Sequence, residues 1–345
     1  MNRSVSFFVV GLLTGILCAT TGFALMQGGA GEGGNANGGP SSPGSATHVI
    51  KVGHVLDQNH PVHKAMERMA ERLAELSDGS VELKIFPNGQ LGSETELLEQ
   101  VQRGALAITK VSTAPLESFI PSMAVFGVPY AFQDEDQFWR VIEGEVGHEL
   151  LASGESIGLV GLCFYDAGAR SFYTIDKPIL RPDDLRGLKI RVQQSPTAMD
   201  MVEALGGAPT PVPFGELYTA LHQRMVDGAE NNLPSFVSSR HCEVCKHLSL
   251  DEHTRVPDIL IMNANALAEL PTQVQEWVRQ AATESAQFQR ELWAEQSERD
   301  LEAAEAMGVE IHHPDKALFT AKVSEMHAGY NGSAVGDLLA RIREQ

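Results

Sequence analysis

The chain has 345 residues, of which 43% are hydrophobic and 21% are charged, a globular composition with enough length for two lobes. Its formal net charge of -19 argues against a nucleic-acid-binding protein, because a phosphate backbone needs a basic surface. A small anion would also meet an unfavourable field, except where arginines are concentrated.

The N-terminal residues indicate export from the cytoplasm. An uncharged apolar run from Val5 to Leu17 is followed by small residues and a cleavage point at Gly22-Phe23-Ala24. We interpret residues 1–26 as a signal peptide. An uncleaved membrane anchor and a lipid attached at Cys18 are the alternatives. Residues 27–47 are rich in Gly, Ser and Pro and predict a flexible linker to a body outside the cytoplasm.

Strand and helix patterns alternate through the first half of the folded part. Apolar runs predict strands at 49–54, 81–86, 105–111 and 157–165. Helical spacing predicts helices at about 62–77, 93–103 and 134–153, and residues 115–129 are loop-rich. Ser93 is suited to N-cap the second helix, with Glu96 completing a capping box. This order is typical of an α/β lobe with a largely parallel sheet.

Two arginines follow strand patterns in the middle of the chain. Arg170 lies shortly after the strand that ends at Tyr165. The stretch 187–193 alternates apolar and polar residues, so Arg191 lies on the face opposite Ile190 and points off the strand near its end. A guanidinium on a rigid strand offers a planar fork of donors that suits a carboxylate. We therefore expect a site for an anionic ligand.

The strand and helix alternation resumes around Arg191 and predicts a second lobe. After a helical turn at 182–185, strands are predicted at 188–193, 208–213 and 225–232, with helices at about 196–205 and from Phe214. Residues 271–307 contain no Gly or Pro after Pro271 and predict a helix about 55 Å long, enough to brace both lobes. Gly308 ends it, and residues 309–311 predict a last strand.

Two motifs resemble sites of other chemistry. Gly154-Glu155-Ser156-Ile157-Gly158 matches a nucleophile elbow, but an elbow needs a strand before the serine and a helix after it, the reverse of the order here. Cys242 and Cys245 are spaced as a metal or redox pair, with structural thiols on a helix, a disulfide and an adventitious metal as the three interpretations. Cys163 is expected to be an inert core residue. We predict no enzyme activity, cofactor or metal.

Four segments together resemble the solute-binding proteins of tripartite ATP-independent periplasmic (TRAP) transporters, the DctP-like family. They are Gln90-Leu91-Gly92, residues 187–192, the Pro-rich run 207–214 and residues 226–231. The resemblance covers nearly all of residues 48–340. It implies a periplasmic-binding-protein-like α/β fold of two lobes, braced by the long helix, that delivers an organic acid from the periplasm to a membrane permease.

The resemblance also implies domain boundaries. The first lobe comprises residues 48–167 and about 257–296, and the second comprises residues 168–256 and about 297–345. The protein is expected to be periplasmic, either free or tethered by its N-terminus.

The resemblance assigns roles to specific residues. Arg191 matches the main carboxylate-binding arginine, Arg170 the second one, Asn231 an asparagine of the same cluster and Phe214 an aromatic pocket residue. Glu94 and Ser112 match first-lobe positions that contact the distal part of the ligand. The further polar candidates for contact with a hydroxylated ring are His54, His60, Gln194 and Asn232.

The runs 166–173 and 229–232 look like the branch that binds uronic acids, whereas Ser112 stands where sialic-acid binders have a glutamate. Glucuronate, galacturonate or a related sugar acid is therefore the expected ligand. A C4-dicarboxylate or keto acid is the alternative ligand. A sensory module for a membrane receptor is the alternative function.

Overall fold

Two β-sheets organise the chain, each covered by helices on both faces. The computed structural model describes residues 46–345, so the predicted signal peptide or anchor and nearly all of the predicted linker lie outside the described residues. The strands are β1 (His48–Gly53), β2 (Val81–Phe86), β3 (Ile108–Ser112), β4 (Leu159–Tyr165), β5 (Arg170–Thr174), β6 (Lys189–Val192), β7 (Ala208–Pro211), β8 (Gly228–Asn231), β9 (His247–Thr254), β10 (Asp258–Asn263) and β11 (Glu310–His312).

The α-helices fill the segments between these strands. They are α1 (Pro61–Leu76), α2 (Glu94–Gln102), α3 (Thr113–Leu116), α4 (Glu135–Glu143), α5 (Glu145–Ala152), α6 (Pro196–Leu205), α7 (Leu217–His222), α8 (Leu233–Ser238), α9 (Ala264–Ala268), α10 (Thr272–Ala306), α11 (Lys316–Lys322), α12 (Ser324–Gly329) and α13 (Ala334–Arg343). Short 3-10 helices occupy 121–127, 155–157, 182–185, 214–216 and 241–243. No helix within residues 46–345 is long and apolar enough to cross a membrane.

The first sheet has the strand order β2-β1-β3-β10-β4. Strand β1 is parallel to β2 and β3, while β10 is inserted antiparallel between β3 and β4. Helices α2, α4 and α5 pack on one face of this sheet, and α1 and α10 pack on the other. We call this sheet with its covering helices the first lobe.

The second sheet has the order β11-β9-β5-β8-β6-β7. Strand β8 is antiparallel to β5 and parallel to β6, which places Ser171 opposite Asn231 and Arg191 opposite Ala229. Helices α7 and α8 pack on one face, and α6 and α11 pack on the other. This sheet with its helices is the second lobe, and the expected two-lobed α/β fold is confirmed.

Four segments of chain connect the lobes, and one of them is residues 330–333 between α12 and α13. Residues 166–169 join β4 to β5, residues 255–257 join β9 to β10, and α10 contacts α1 and β4 of the first lobe and α8 of the second. The buried amide of Gln289 on α10 holds the first connector, because it accepts from the backbone N of Asp166 at 2.7 Å and donates to its O at 2.9 Å. The predicted long helix thus contacts both lobes and is hydrogen-bonded to the connector at residues 166–169.

The capping box predicted at Ser93 is present, whereas the helix predicted at 134–153 is interrupted. Ser93 accepts from the backbone N of Glu96, and Glu96 accepts from the backbone N of Ser93 at 2.8 Å, which is the predicted capping box. The helix predicted at 134–153 is instead two helices separated at Gly144, whose backbone is extended. A Cβ at Gly147 would lie 1.8 Å from the carbonyl oxygen of Ile142, so only glycine fits where the second helix begins.

The C-terminal helix differs from the expected domain boundary. Residues about 297–345 were assigned to the second lobe, yet α13 buries Val335, Leu338, Leu339 and Ile342 in a core of the first lobe. An amphipathic helix can pack against any exposed apolar surface, and its position in the sequence does not determine which lobe supplies that surface. The remainder of the domain division stays a prediction.

Candidate functional site

The lobes meet along a line of polar contacts. His60, at the start of α1, lies 3.2 Å from the hydroxyl of Ser235 on α8. Thr95 donates to the side-chain oxygen of Gln194 at 3.1 Å, and Glu117 accepts from the hydroxyl of Ser195 at 2.9 Å. These bonds join the lobes across the cleft, and Arg170 and Arg191 inside it are buried.

Arg191 lies in this cleft, and only part of its guanidinium is hydrogen-bonded to the described residues. It is 2% exposed, its Nε donates to the carbonyl oxygen of Val212 at 2.9 Å, and the guanidinium lies 5.8 Å from the ring centre of Phe214. Burial lowers the pKa of Arg191 below its ordinary value. Its Nη1 has no hydrogen-bond partner among residues 46–345. A buried donor left unpaired costs about 1–3 kcal/mol, a cost that an acceptor on a bound molecule could offset.

Arg170 is arranged differently, because most of its donors are already engaged. Its Nε and Nη2 donate to the two carboxylate oxygens of Glu230, Nη2 also donates to the Glu230 carbonyl at 2.8 Å, and Nη1 donates to Oδ1 of Asn231 at 2.7 Å. A guanidinium has five N–H donors, so these bonds leave one N–H on Nη1. Arg170 can therefore supply one bond to a ligand and orient Asn231, whose amide NH2 can supply another.

A chain of buried charges extends behind Arg170. His253 lies between Glu230, at 3.5 Å, and Asp251, at 2.8 Å. Burial alone would raise the pKa of Glu230, but Arg170 and His253 lower it to about 2. Burial alone would lower the pKa of His253, but Asp251 and Glu230 raise it to about 9. The alternating charges fix the guanidinium of Arg170 in one orientation.

These pKa values predict a loss of stability at alkaline pH. Because the folded-state pKa of His253 lies above its ordinary 6.5, its contribution is fully present below pH 6.5 and is lost as pH rises through about 9. We expect this loss to reach at most about 3 kcal/mol, measured by urea unfolding at pH 6.5 and pH 10. The variant His253→Gln should lose most of that pH dependence. An identical alkaline decline in both proteins would contradict the prediction.

A second buried cluster, which was not predicted from the sequence, lies in the first lobe. Lys110 on β3 is 1% exposed, donates to Asp258 at 3.0 Å and lies 3.8 Å from a carboxylate oxygen of Glu94. Glu94 also accepts from the backbone N of Ser112 at 2.9 Å, and burial is the main cause of its raised pKa. A lysine within the strand predicted at 105–111 was the signal available in the sequence.

Several predicted site residues have partners within the protein. The side chains of Ser112 and Asn232 N-cap α3 and α8. His54 accepts from the backbone N of Leu56 and bonds His63 at 2.9 Å, so both of its ring nitrogens are occupied. His60 N-caps α1 through its second nitrogen. Gln194 is exposed at the rim of the cleft.

Burial keeps both buried histidines neutral, because it lowers the pKa of His54 to about 2 and that of His60 to about 3. Neither histidine therefore contributes positive charge to the cleft at neutral pH. The structure brings Arg191, Phe214, Arg170 and Asn231 together in the second lobe, with Glu94 among the groups whose charge acts on Arg191.

The two remaining motifs have no role in this cleft. Cys242 and Cys245 are buried free thiols in a core of the second lobe, and a 3-10 helix ends between them at Glu243. Ser156 lies in a 3-10 helix that precedes β4, the reverse of a nucleophile elbow. Cys163 is buried on β4, as expected for a core residue, and burial raises its thiol pKa.

The chain matches a known family along most of its length. Residues 52–333 match the family model DctP, described as bacterial extracellular solute-binding protein, family 7. A Salmonella typhimurium protein, "Uncharacterized protein YiiZ", is 38% identical over 275 residues, which are 79% of this chain and 84% of that protein.

Solved structures of TRAP periplasmic solute-binding proteins have the same fold. One from Xanthobacter autotrophicus, with bound β-D-galacturonate, has a TM-score of 0.83 and 38% identity and covers 86% of this chain and 99% of its own. One from Anaerococcus prevotii, with bound D-glucuronate, has a TM-score of 0.84 and 35% identity and covers 86% of this chain and 97% of its own.

Proposed function

Because the chain belongs to the DctP family, bacterial extracellular solute-binding proteins of TRAP transporters, we propose that its cleft captures a uronate, D-galacturonate or D-glucuronate. The family consists of transporter substrate-binding proteins rather than enzymes. The observation that carries the proposal is the buried Nη1 of Arg191, which has no hydrogen-bond partner among the described residues.

Three groups of the second lobe would bind the ligand's carboxylate. Arg191 supplies its uncommitted guanidinium N–H groups, Arg170 its remaining Nη1 N–H and Asn231 its amide NH2. Charge-assisted bonds of this kind are roughly twice as strong as neutral ones. Closure of the lobes excludes water and strengthens them further, since the effective dielectric constant falls.

The first lobe would bind the sugar hydroxyls. Glu94 offers carboxylate oxygens as acceptors and is only 12% exposed, while Lys110, which donates to Asp258, lies 3.8 Å from it. Phe214 would pack against the ring next to the carboxylate that Arg191 holds. A ligand bound between the lobes would rest on groups from both sheets, with residues 166–169 and 255–257 as the connectors that bend when the cleft opens.

The protein would work outside the cytoplasm and present its closed form to the TRAP membrane permease. Its predicted N-terminal signal and linker fit either a free periplasmic protein or one tethered to the membrane.

Calorimetry with four ligands tests this proposal. We expect D-galacturonate or D-glucuronate to bind one to one with a micromolar Kd, which corresponds to roughly 8 kcal/mol. D-galactose, the matched sugar without the carboxylate, should bind at least about 100-fold more weakly, because it leaves Arg191 unpaired. Succinate is the control for a simple dicarboxylate ligand. Tighter binding of succinate than of either uronate would refute the assigned ligand class.

A further inference from the structure

A cluster of two histidines and a glutamate lies at the edge of the second sheet. Strand β11 is the edge strand and pairs in parallel with β9, which puts Glu310 beside His247 and His312 beside Ser249. Residues two apart on a strand share a face, so Glu310 and His312 project to the same side of the sheet. His247 reaches both of them from the neighbouring strand.

The ligand atoms of this cluster have the spacing of a metal site. Nδ1 of His247 lies 3.3 Å from Nε2 of His312, and Oε2 of Glu310 lies 3.5 Å from the first and 3.8 Å from the second. Two nitrogens bound to zinc at 2.0–2.1 Å in tetrahedral geometry are about 3.3–3.4 Å apart. The observed separation of the imidazole nitrogens therefore already equals the edge of a zinc tetrahedron.

Burial divides the cluster into a rigid and an adjustable part. The side chains of His247 and His312 are 16% and 20% exposed, whereas that of Glu310 is 68% exposed. The two imidazoles are held by the strands that carry them, and the carboxylate can rotate to complete the coordination. Its open side leaves a fourth position for water, and the net charge of -19 favours a cation at the surface.

We propose that His247, Glu310 and His312 bind a divalent transition-metal ion of the Zn2+ class. Two imidazoles and one carboxylate suit Zn2+, Ni2+ or Cu2+, whereas Mg2+ and Ca2+ prefer oxygen ligands alone. The nearby thiols of Cys242 and Cys245 take no part, because both are buried in a core of the second lobe. The metal would link β11, an edge strand of three residues, to its neighbour β9.

Zinc and cobalt titrations of the full chain test the site. The protein is purified without a histidine tag, stripped with a chelator and titrated with ZnCl2 by calorimetry and with Co2+ by visible absorption. We expect one equivalent of Zn2+ with a micromolar or tighter Kd, an intense tetrahedral Co2+ spectrum and a higher melting temperature with Zn2+. His312→Gln and Glu310→Gln should each weaken Zn2+ binding at least about tenfold.

The matched control is His148→Gln, which removes an exposed histidine from α5 in the first lobe and should leave Zn2+ affinity unchanged. Glu310 is exposed, so Glu310→Gln keeps the test valid even if His312→Gln lowers stability. Uronate affinity should be the same with and without Zn2+, since the cluster shares no residue with the cleft. Absence of one-to-one Zn2+ binding, or equal affinity in both site variants and the control, would overturn the proposal.

Discussion

Replacing Arg191 with alanine is expected to weaken uronate binding by at least about 100-fold. A hydrogen bond to a charged group contributes about 1.5–3 kcal/mol, and the guanidinium can place two N–H groups on one carboxylate. Each factor of ten in affinity corresponds to about 1.4 kcal/mol, so the loss of two such bonds exceeds two orders of magnitude. Calorimetry with D-galacturonate and D-glucuronate measures the effect directly.

Two further variants sharpen this test. Arg191→Lys keeps the charge but not the planar fork of donors, so it should bind the uronates more weakly than the wild type and more tightly than Arg191→Ala. Arg186→Ala is the matched control, because Arg186 is 72% exposed and pairs with Asp183 at the surface. Circular dichroism should show that all three variants fold. Wild-type affinity in a folded Arg191→Ala variant would refute the role of this residue.

Glu230→Gln is expected to reduce the free energy of unfolding by about 3–5 kcal/mol. The exchange keeps the size of the side chain but removes the negative charge between Arg170 and His253, both of which are buried. Breaking a buried ion pair in this way leaves an uncompensated charge in a medium of low dielectric constant. Urea unfolding of the ligand-free protein, followed by circular dichroism, measures the loss.

Asp176→Asn provides the control for this prediction. It breaks the ion pair of Asp176 with Arg224, whose side chains are 66% and 61% exposed, and should therefore change stability much less. Glu230→Gln should also weaken uronate binding. The glutamine no longer fixes the guanidinium of Arg170, which in turn orients the amide of Asn231. Equal stability of the two variants would show that the Glu230 pair does not hold the second lobe together.

Local patterns in the sequence predicted most elements that surround the cleft. Alternation of apolar and polar residues located β6 and put Arg191 on the face opposite Ile190, as the structure has it. The capping box at Ser93 and the long helix, observed at Thr272–Ala306, were also readable, because each depends on residues close together in the chain. The repeated alternation of strands and helices predicted two lobes, and the resemblance to a known family added the roles of the site residues.

Strands β9 and β10 were not predicted, although they complete both sheets. Strand β10 is a continuous apolar run because both of its faces are buried, so it has no period that distinguishes a strand from a helix. Strand β9 carries Asp251 and His253, whose charges resemble those of an exposed loop until their partners are known. Because charged residues are usually exposed, a strand whose charged residues are buried in pairs is not recognised from its sequence.

The sequence by itself determined the order of the elements, the α/β class and the direction of Arg191, because backbone preferences and side-chain periodicity act over a few residues. Only the tertiary structure decided that Arg170 is occupied by Glu230, 60 residues away, and that Lys110 pairs with Asp258, 148 residues away. It likewise decided that a buried nitrogen of Arg191 has no hydrogen-bond partner within residues 46–345. Such pairings depend on which strands become neighbours, and that is set by packing of the whole chain.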